Sequence, residues 1–187
     1  MKSLIYFLVL ISFCLSAQNR YLTKTGTVEF EASVPSFEEV KAINNSTTAI
    51  INSETGEFAA LVLIKGFRFK NALMEEHFNE NYAESDIYTK ANFKGKIVDF
   101  SLEDLSSKAN SFSLKGVLTF HGKTKTLEEL AINIVINEDV ITISGEFLAD
   151  ASDFDIKIPK IVRNKINEEI KFFFRKLLPS IFSSGVT

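Results

Sequence analysis

Period-two alternation of apolar and polar residues, in runs of about eight, predicts a mainly β protein. The sheet it describes is antiparallel and either closed into a barrel or folded into a sandwich. Two further observations point the same way. Most runs are joined by short turns, the order expected of an antiparallel sheet. The apolar material is also rich in strand formers, with many isoleucines and eighteen phenylalanines, of which only Phe7 and Phe13 precede residue 18.

The first segment, "MKSLIYFLVLISFCLSA", stands apart from this pattern. Lys2 gives a positive start, Leu4 to Leu15 is an uncharged apolar run, and the small residues Ser16 and Ala17 follow. That is the order of a secretory signal peptide over residues 1–17, cleaved between Ala17 and Gln18. The run is shorter than the roughly 20 residues a membrane span needs. Cys14 invites a lipid-anchored reading, but Phe13 stands where a small residue would precede the modified cysteine. The expectation is export to the periplasm or beyond, as one domain over residues 18–187 with no stable membrane span after cleavage.

The strands follow in order. "TVEFEA" (27–32) puts Val28, Phe30 and Ala32 on one face, and "TTAIINS" (47–53) leads through a turn at "ETG". "FAALVLIKGFRFK" reads as one long strand with Leu61, Leu63, Phe67 and Phe69 on a shared face, interrupted by Lys65. "ANFKGKIVDF" (91–100) aligns Phe93 and Ile97. "SFSLKGVLTF" aligns Phe112, Leu114, Leu118 and Phe120 against Ser111, Ser113 and Lys115. "LAINIVI" aligns Ile132, Ile134 and Ile136, and "VITISGEF" aligns Ile141, Ile143 and Phe147. Seven strands are thus readable before residue 150.

The C-terminal stretch supports two patterns. Val162, Ile166, Ile170, Phe173 and Leu177 fall at helical spacing, while Ile170, Phe172 and Phe174 alternate with Lys171, Phe173 and Arg175. The aromatic triplet favours a strand, and a closing strand over 169–178 would protect an open barrel edge. The same basic and aromatic residues also admit a membrane-surface reading.

Composition excludes several functions. Cys14 is the only cysteine and lies in the leader, so the mature chain has no disulfide and no catalytic thiolate. The formal net charge of −3, with no basic block, gives nucleic acid no electrostatic foothold.

Between the third and fourth strands lies "NALMEEHFNENYAES" (71–85). Asn71 can cap a helix with Leu73, Met74, His77, Phe78 and Tyr82 on roughly one face. His77 and Glu80 are three apart, but a metal site normally takes at least three protein ligands, and no HExxH pattern, aspartate triplet or cysteine completes the set. The segment reads as a helix over about 71–82 lying across a barrel mouth. Thr119 and His121 fall on the polar face at a strand end and have no recognisable catalytic partners.

"GVLTFHGKTKTLE" (116–128) resembles the strand–turn–strand signature of the YceI-like family at Gly116, Leu118, Thr119, Gly122, Thr124 and Lys125. "FRFKNALMEEHFNENYAESDIYTKANFKGKI" is similar to the strand–helix–strand passage of that family, especially in exported members from the Bacteroidetes. "TKTGTVEFEA" and "SETG" fit the same group, so the resemblance runs from about Tyr21 to Leu178. The chain departs from the family at Thr89, which follows Tyr88 where proline is usual, and at Lys123 and Thr126.

The resemblance implies a lipocalin-like barrel of about eight strands whose apolar interior holds a polyisoprenoid, such as a ubiquinone side chain, or another long lipid tail. It implies a binding protein and not an enzyme, with no catalytic residues, no metal and no cofactor beyond a possible bound isoprenoid or quinone-like lipid. The expected cavity residues are Leu61, Leu63, Phe67 and Phe69, then Phe112, Leu114, Leu118, Phe120 and Phe147, with Met74 and Phe78 from the helix. The same residues could equally pack a solid core, which leaves open a stress-related interaction barrel with no lipid ligand.

Overall fold

The computed structural model describes residues 20–179. The leader, its cleavage site and Cys14 lie outside the described residues. The strands are β1 (Arg20–Ser33), β2 (Lys41–Asn52), β3 (Glu57–Leu63), a two-residue β4 (Arg68–Phe69), β5 (Lys90–Ile97), β6 (Asn110–Phe120), β7 (Lys123–Asn137), β8 (Val140–Asp150) and β9 (Ile166–Pro179). One helix, α1 (Ala72–His77), follows β4.

The eight long strands pair antiparallel with their sequence neighbours, and β9 closes the barrel on β1. Closure explains why the ambiguous C-terminal stretch is extended. β1 and β8 would otherwise both be open edges, and β9 satisfies them together, pairing Phe30 with Phe172 on one side and Phe147 with Phe172 on the other. Its three aromatics alternate: Phe172 and Phe174 turn inward, while Phe173 lies outside under the Lys171 ammonium, 4.6 Å from the ring centre. The stretch is therefore a barrel wall and not a membrane-surface helix.

The long third run is not one strand. β3 ends at Leu63 and the chain makes a 3₁₀ turn over Ile64–Gly66 before β4. Two contacts fix that break. Buried Asn44 donates from Nδ2 to the Leu63 carbonyl at 2.9 Å, and the Ile64 N–H donates to the Thr89 carbonyl at 3.0 Å. Because strand faces alternate residue by residue, the extra turn reverses which positions face in.

The barrel is packed at one end and open at the other. Ile51, Ile97, Ile132, Ile134, Ile141, Ile143 and Leu178 fill the closed end, each 1% exposed or less. A second cluster centred on Phe30, Val62, Ile64 and Phe67 lines the opposite half.

The hairpin joining β6 to β7 turns on two residues, His121 at φ 49° and Gly122 at φ 71°, between the paired Phe120 and Lys123. Both left-handed positions suit a primed two-residue turn, which follows the strand twist. A side chain at 122 meets both that backbone and the Tyr88 ring, 2.9 Å from an ideal Cβ. Gly122→Val is expected to cost about 1–2 kcal/mol in chemical denaturation, with the fold retained.

Candidate ligand-binding cavity

Alternation decides what faces the open half of the barrel. Val28, Phe30 and Ala32 face in from β1, as do Phe58, Ala60 and Val62 from β3 and Leu114, Leu118 and Phe120 from β6. With Phe172 and Phe174 of β9 they enclose a cavity of about 460 Å³. That volume falls within the usual range for small-molecule sites. Phe93, Phe120, Phe147, Phe172 and Phe174 are only partly buried although they point inward, because one side of each ring borders the cavity.

The mouth is covered by α1. Asn71 caps it, Oδ1 accepting from the Leu73 N–H at 2.9 Å, and the helix widens into a π-helical turn over Phe78–Tyr82. Phe78 drops into the opening, its ring 5.3 Å from Phe30, 5.8 Å from Phe67 and 5.2 Å from Phe69. Glu75 ties the helix down, accepting from Arg68 Nη1 at 3.0 Å and from the Phe69 N–H at 3.1 Å. Asn71 Nδ2 donates to Glu38 across the mouth.

The other rim is 3₁₀ turn Ala151–Phe154 and the irregular chain after it, with Phe154, Ile156, Ile158 and Val162 bordering the cavity. His121 joins the two rims. One ring nitrogen lies 2.9 Å from the Phe154 carbonyl and the other 2.7 Å from the Glu84 carboxylate, with Tyr88 packed against the ring. Its place is a strut between β6 and both rims. Lys125 and Asp153 pair beside it.

Of the residues expected at the cavity, Phe67, Phe69, Met74, Phe78, Leu114, Leu118, Phe120 and Phe147 border it. Leu61, Leu63 and Phe112 do not, which corrects the sequence expectation. Leu61 and Leu63 lie on the outer face of β3, Leu63 52% exposed, because the turn at Ile64–Gly66 reverses the parity read across it. Phe112 has inward parity but sits too near the closed end, packed against Phe100 at 6.0 Å. Leu73 also departs from the expected helix face and is 56% exposed. His77 borders the mouth, and no group of three or more potential metal ligands occurs among the described residues.

One lining residue breaks the apolar pattern. Lys176 lies at the inner end of the cavity, 1% exposed, and its Nζ has no hydrogen-bond partner among the described residues. Burial alone lowers its pKa from 10.5 to about 7. Its stem has room because Gly26, opposite it on β1, has no side chain: an ideal Cβ there would sit 2.4 Å from Lys176 Cδ and 2.9 Å from Nζ. The sequence signal for Lys176 was the same alternation that places Ile170, Phe172 and Phe174 inside, carried two residues further. Phe58, Ala60 and Val62 were hidden by the parity error, and the rim after residue 151 has no periodicity to read.

A closed antiparallel barrel, lidded by one short helix and hollow at the lidded end, defines a lipocalin-like, cavity-bearing protein. Comparison with known families makes this specific. The model of the YceI-like domain matches residues 20–175, and the chain belongs to that family. Among solved structures, a polyisoprenoid binding domain from Saccharophagus degradans, implicated in plant cell wall breakdown, is similar with a TM-score of 0.74 at 14% identity, over 87% of this chain and 99% of that one. BcnA of Burkholderia cenocepacia is similar with a TM-score of 0.67 at 15% identity, over 83% and 96%. The YCEI protein of Campylobacter jejuni gives 0.59 at 15% identity, over 79% and 88%. No curated protein matches the chain by sequence.

Proposed function

We propose that the protein is a non-enzymatic carrier or scavenger that holds a long-chain isoprenoid-like or other lipid in the barrel, and that it works outside the cytoplasm. The observation that carries this reading is the lidded apolar cavity of about 460 Å³, bordered by inward-facing rings that are only partly buried. A lipid tail would cover those rings. Each CH₂ taken from water contributes roughly 0.8 kcal/mol before ordering costs, so a five-carbon isoprene unit supplies a few kcal/mol without any polar contact. A solved structure of the same fold is described as a polyisoprenoid binding domain, which supports the ligand class. The signal-peptide pattern of residues 1–17 supports export, and an exported chain is expected to begin at Gln18.

The test is displacement of an environment-sensitive apolar fluorophore by a polyprenyl chain, in the wild type and in Ala60→Phe. Ala60 faces the cavity between β2 and β5, so the added ring occupies ligand space. The expected result is a loss of affinity of at least about tenfold in the variant, with an unchanged circular dichroism spectrum. Equal affinity in the two proteins would place the ligand elsewhere and refute the cavity reading.

A further inference from the structure

The inward positions of β9 read Ile170, Phe172, Phe174, Lys176 and Leu178 from mouth to closed end. Four are apolar and one is a lysine, placed where the cavity stops and the packed isoleucine layer begins. Beside it, Gly26 pairs with Thr47 on β2, and the Thr47 hydroxyl is fully buried and also without a hydrogen-bond partner among the described residues. Thr47 lies outside the cavity lining, so Lys176 is the one buried polar group that borders the inner end of an otherwise apolar chamber among the described residues. The other charged residues bordering the cavity, Glu38 and Lys165, are exposed at the mouth with His77.

Buried polar groups are normally paired, and an unpaired one needs an explanation. An ammonium has donors only, so what Lys176 lacks is an acceptor oxygen, and it prefers that oxygen to be anionic. Resting on the carrier reading above, we propose that the inner end of the cavity is a head-group site for a long-chain carboxylate. The ligand enters head-first, a carboxylate oxygen accepts from Lys176 Nζ, and its tail lies along Phe174 and Phe172 towards the lid.

Charge selects carboxylate over phosphate. One lysine balances one negative charge, whereas a phosphate monoester carries up to two and would leave the excess buried without a partner. Lys176 already borders the cavity, and its four-carbon stem supplies the rotation that brings Nζ to a ligand. The lowered pKa agrees with this arrangement: the amine rests largely without charge in the empty barrel above neutral pH, and an arriving carboxylate favours its protonated form.

The experiment compares oleate with oleyl alcohol, two ligands of one chain length, in the wild type and in Lys176→Met at pH 7. The expected result is an oleate-to-alcohol affinity ratio that falls about tenfold or more in the variant. Carboxyl-labelled ¹³C oleate bound to the wild type is further expected to resist relaxation by a water-soluble paramagnetic agent. If the ratio is the same in both proteins, or the carboxyl carbon is relaxed as readily as in free oleate, the head-first site is overturned while the carrier reading stands. If the wild type takes up neither ligand, the head-first carboxylate site is overturned, and the carrier reading is decided separately by the polyprenyl displacement.

Discussion

Lys176→Met is expected to stabilise the empty protein at pH 7 by about 3–5 kcal/mol, the equivalent of the lysine's lowered pKa. The sign follows from proton counting. In the folded barrel the amine titrates at about 7, and in the unfolded chain near its ordinary 10.5. Between those values the unfolded state holds a proton that the folded state lacks. Wild-type stability therefore rises with pH from about 7 towards 10.5, and below 7 the full penalty of a buried charge persists. Methionine fills a similar volume without that penalty, so the variant loses this part of the slope. Urea denaturation of both proteins at pH 7 and pH 9.5 measures it. Equal stabilities at pH 7, with parallel pH profiles, would mean that the lysine reaches solvent. A residue that costs this much in the empty barrel fits a group kept for binding, the usual trade of stability against function.

Phe30→Ala is expected to cost about 3–5 kcal/mol and to loosen the lid. Phe30 is 7% exposed and sits at the centre of an aromatic cluster, with Phe67 at 5.2 Å, Phe69 at 5.7 Å, Phe78 at 5.3 Å and Phe172 at 5.9 Å. Those rings come from β1, β4, the lid and β9, and the loop before β4. Removing the central ring opens a void that a closed barrel cannot collapse to fill, and it takes the seat from under Phe78. Thermal melting reads the stability loss, and hydrogen exchange of the amides of α1 reads the loosened lid. A loss confined to α1, with the barrel unchanged, would show that Phe30 serves the lid alone.

What could be read in the sequence follows what is periodic. All eight long strands, the cap at Asn71 and the helix across the mouth were legible, because alternation and capping are local. For the closing strand, local alternation competed with a helical spacing, and the aromatic triplet's strand propensity together with a non-local argument, that an open barrel edge needs a partner, decided it. Leu61 and Leu63 were misplaced for the opposite reason. The Asn44 bond to Leu63, nineteen residues away, breaks the strand and inverts the face, and no local pattern announces it. The rim formed by Phe154 to Val162 is irregular chain whose inward side chains are chosen by the barrel it covers. Lys176 falls between these cases: its inward position is strictly periodic, but a lysine in that register contradicts its composition, and its functional interest emerges only from the folded barrel.

The same division explains the site. The eight expected residues that border the cavity lie on elements whose faces are fixed by alternation or by the capped helix. Whether they enclose space or pack solid depends on the barrel's diameter and on how far the isoleucine layer of β5, β7 and β8 rises inside it. That is a property of the assembled strands, not of any one of them.

The most direct measurement is native mass spectrometry of the protein exported by a bacterial host and purified without detergent, followed by solvent extraction. The expected result is a polypeptide beginning at Gln18 that carries a defined added mass, extractable as a long-chain lipid of isoprenoid, quinone-like or carboxylate type. A bare polypeptide mass, with no uptake when such lipids are supplied, would contradict the account.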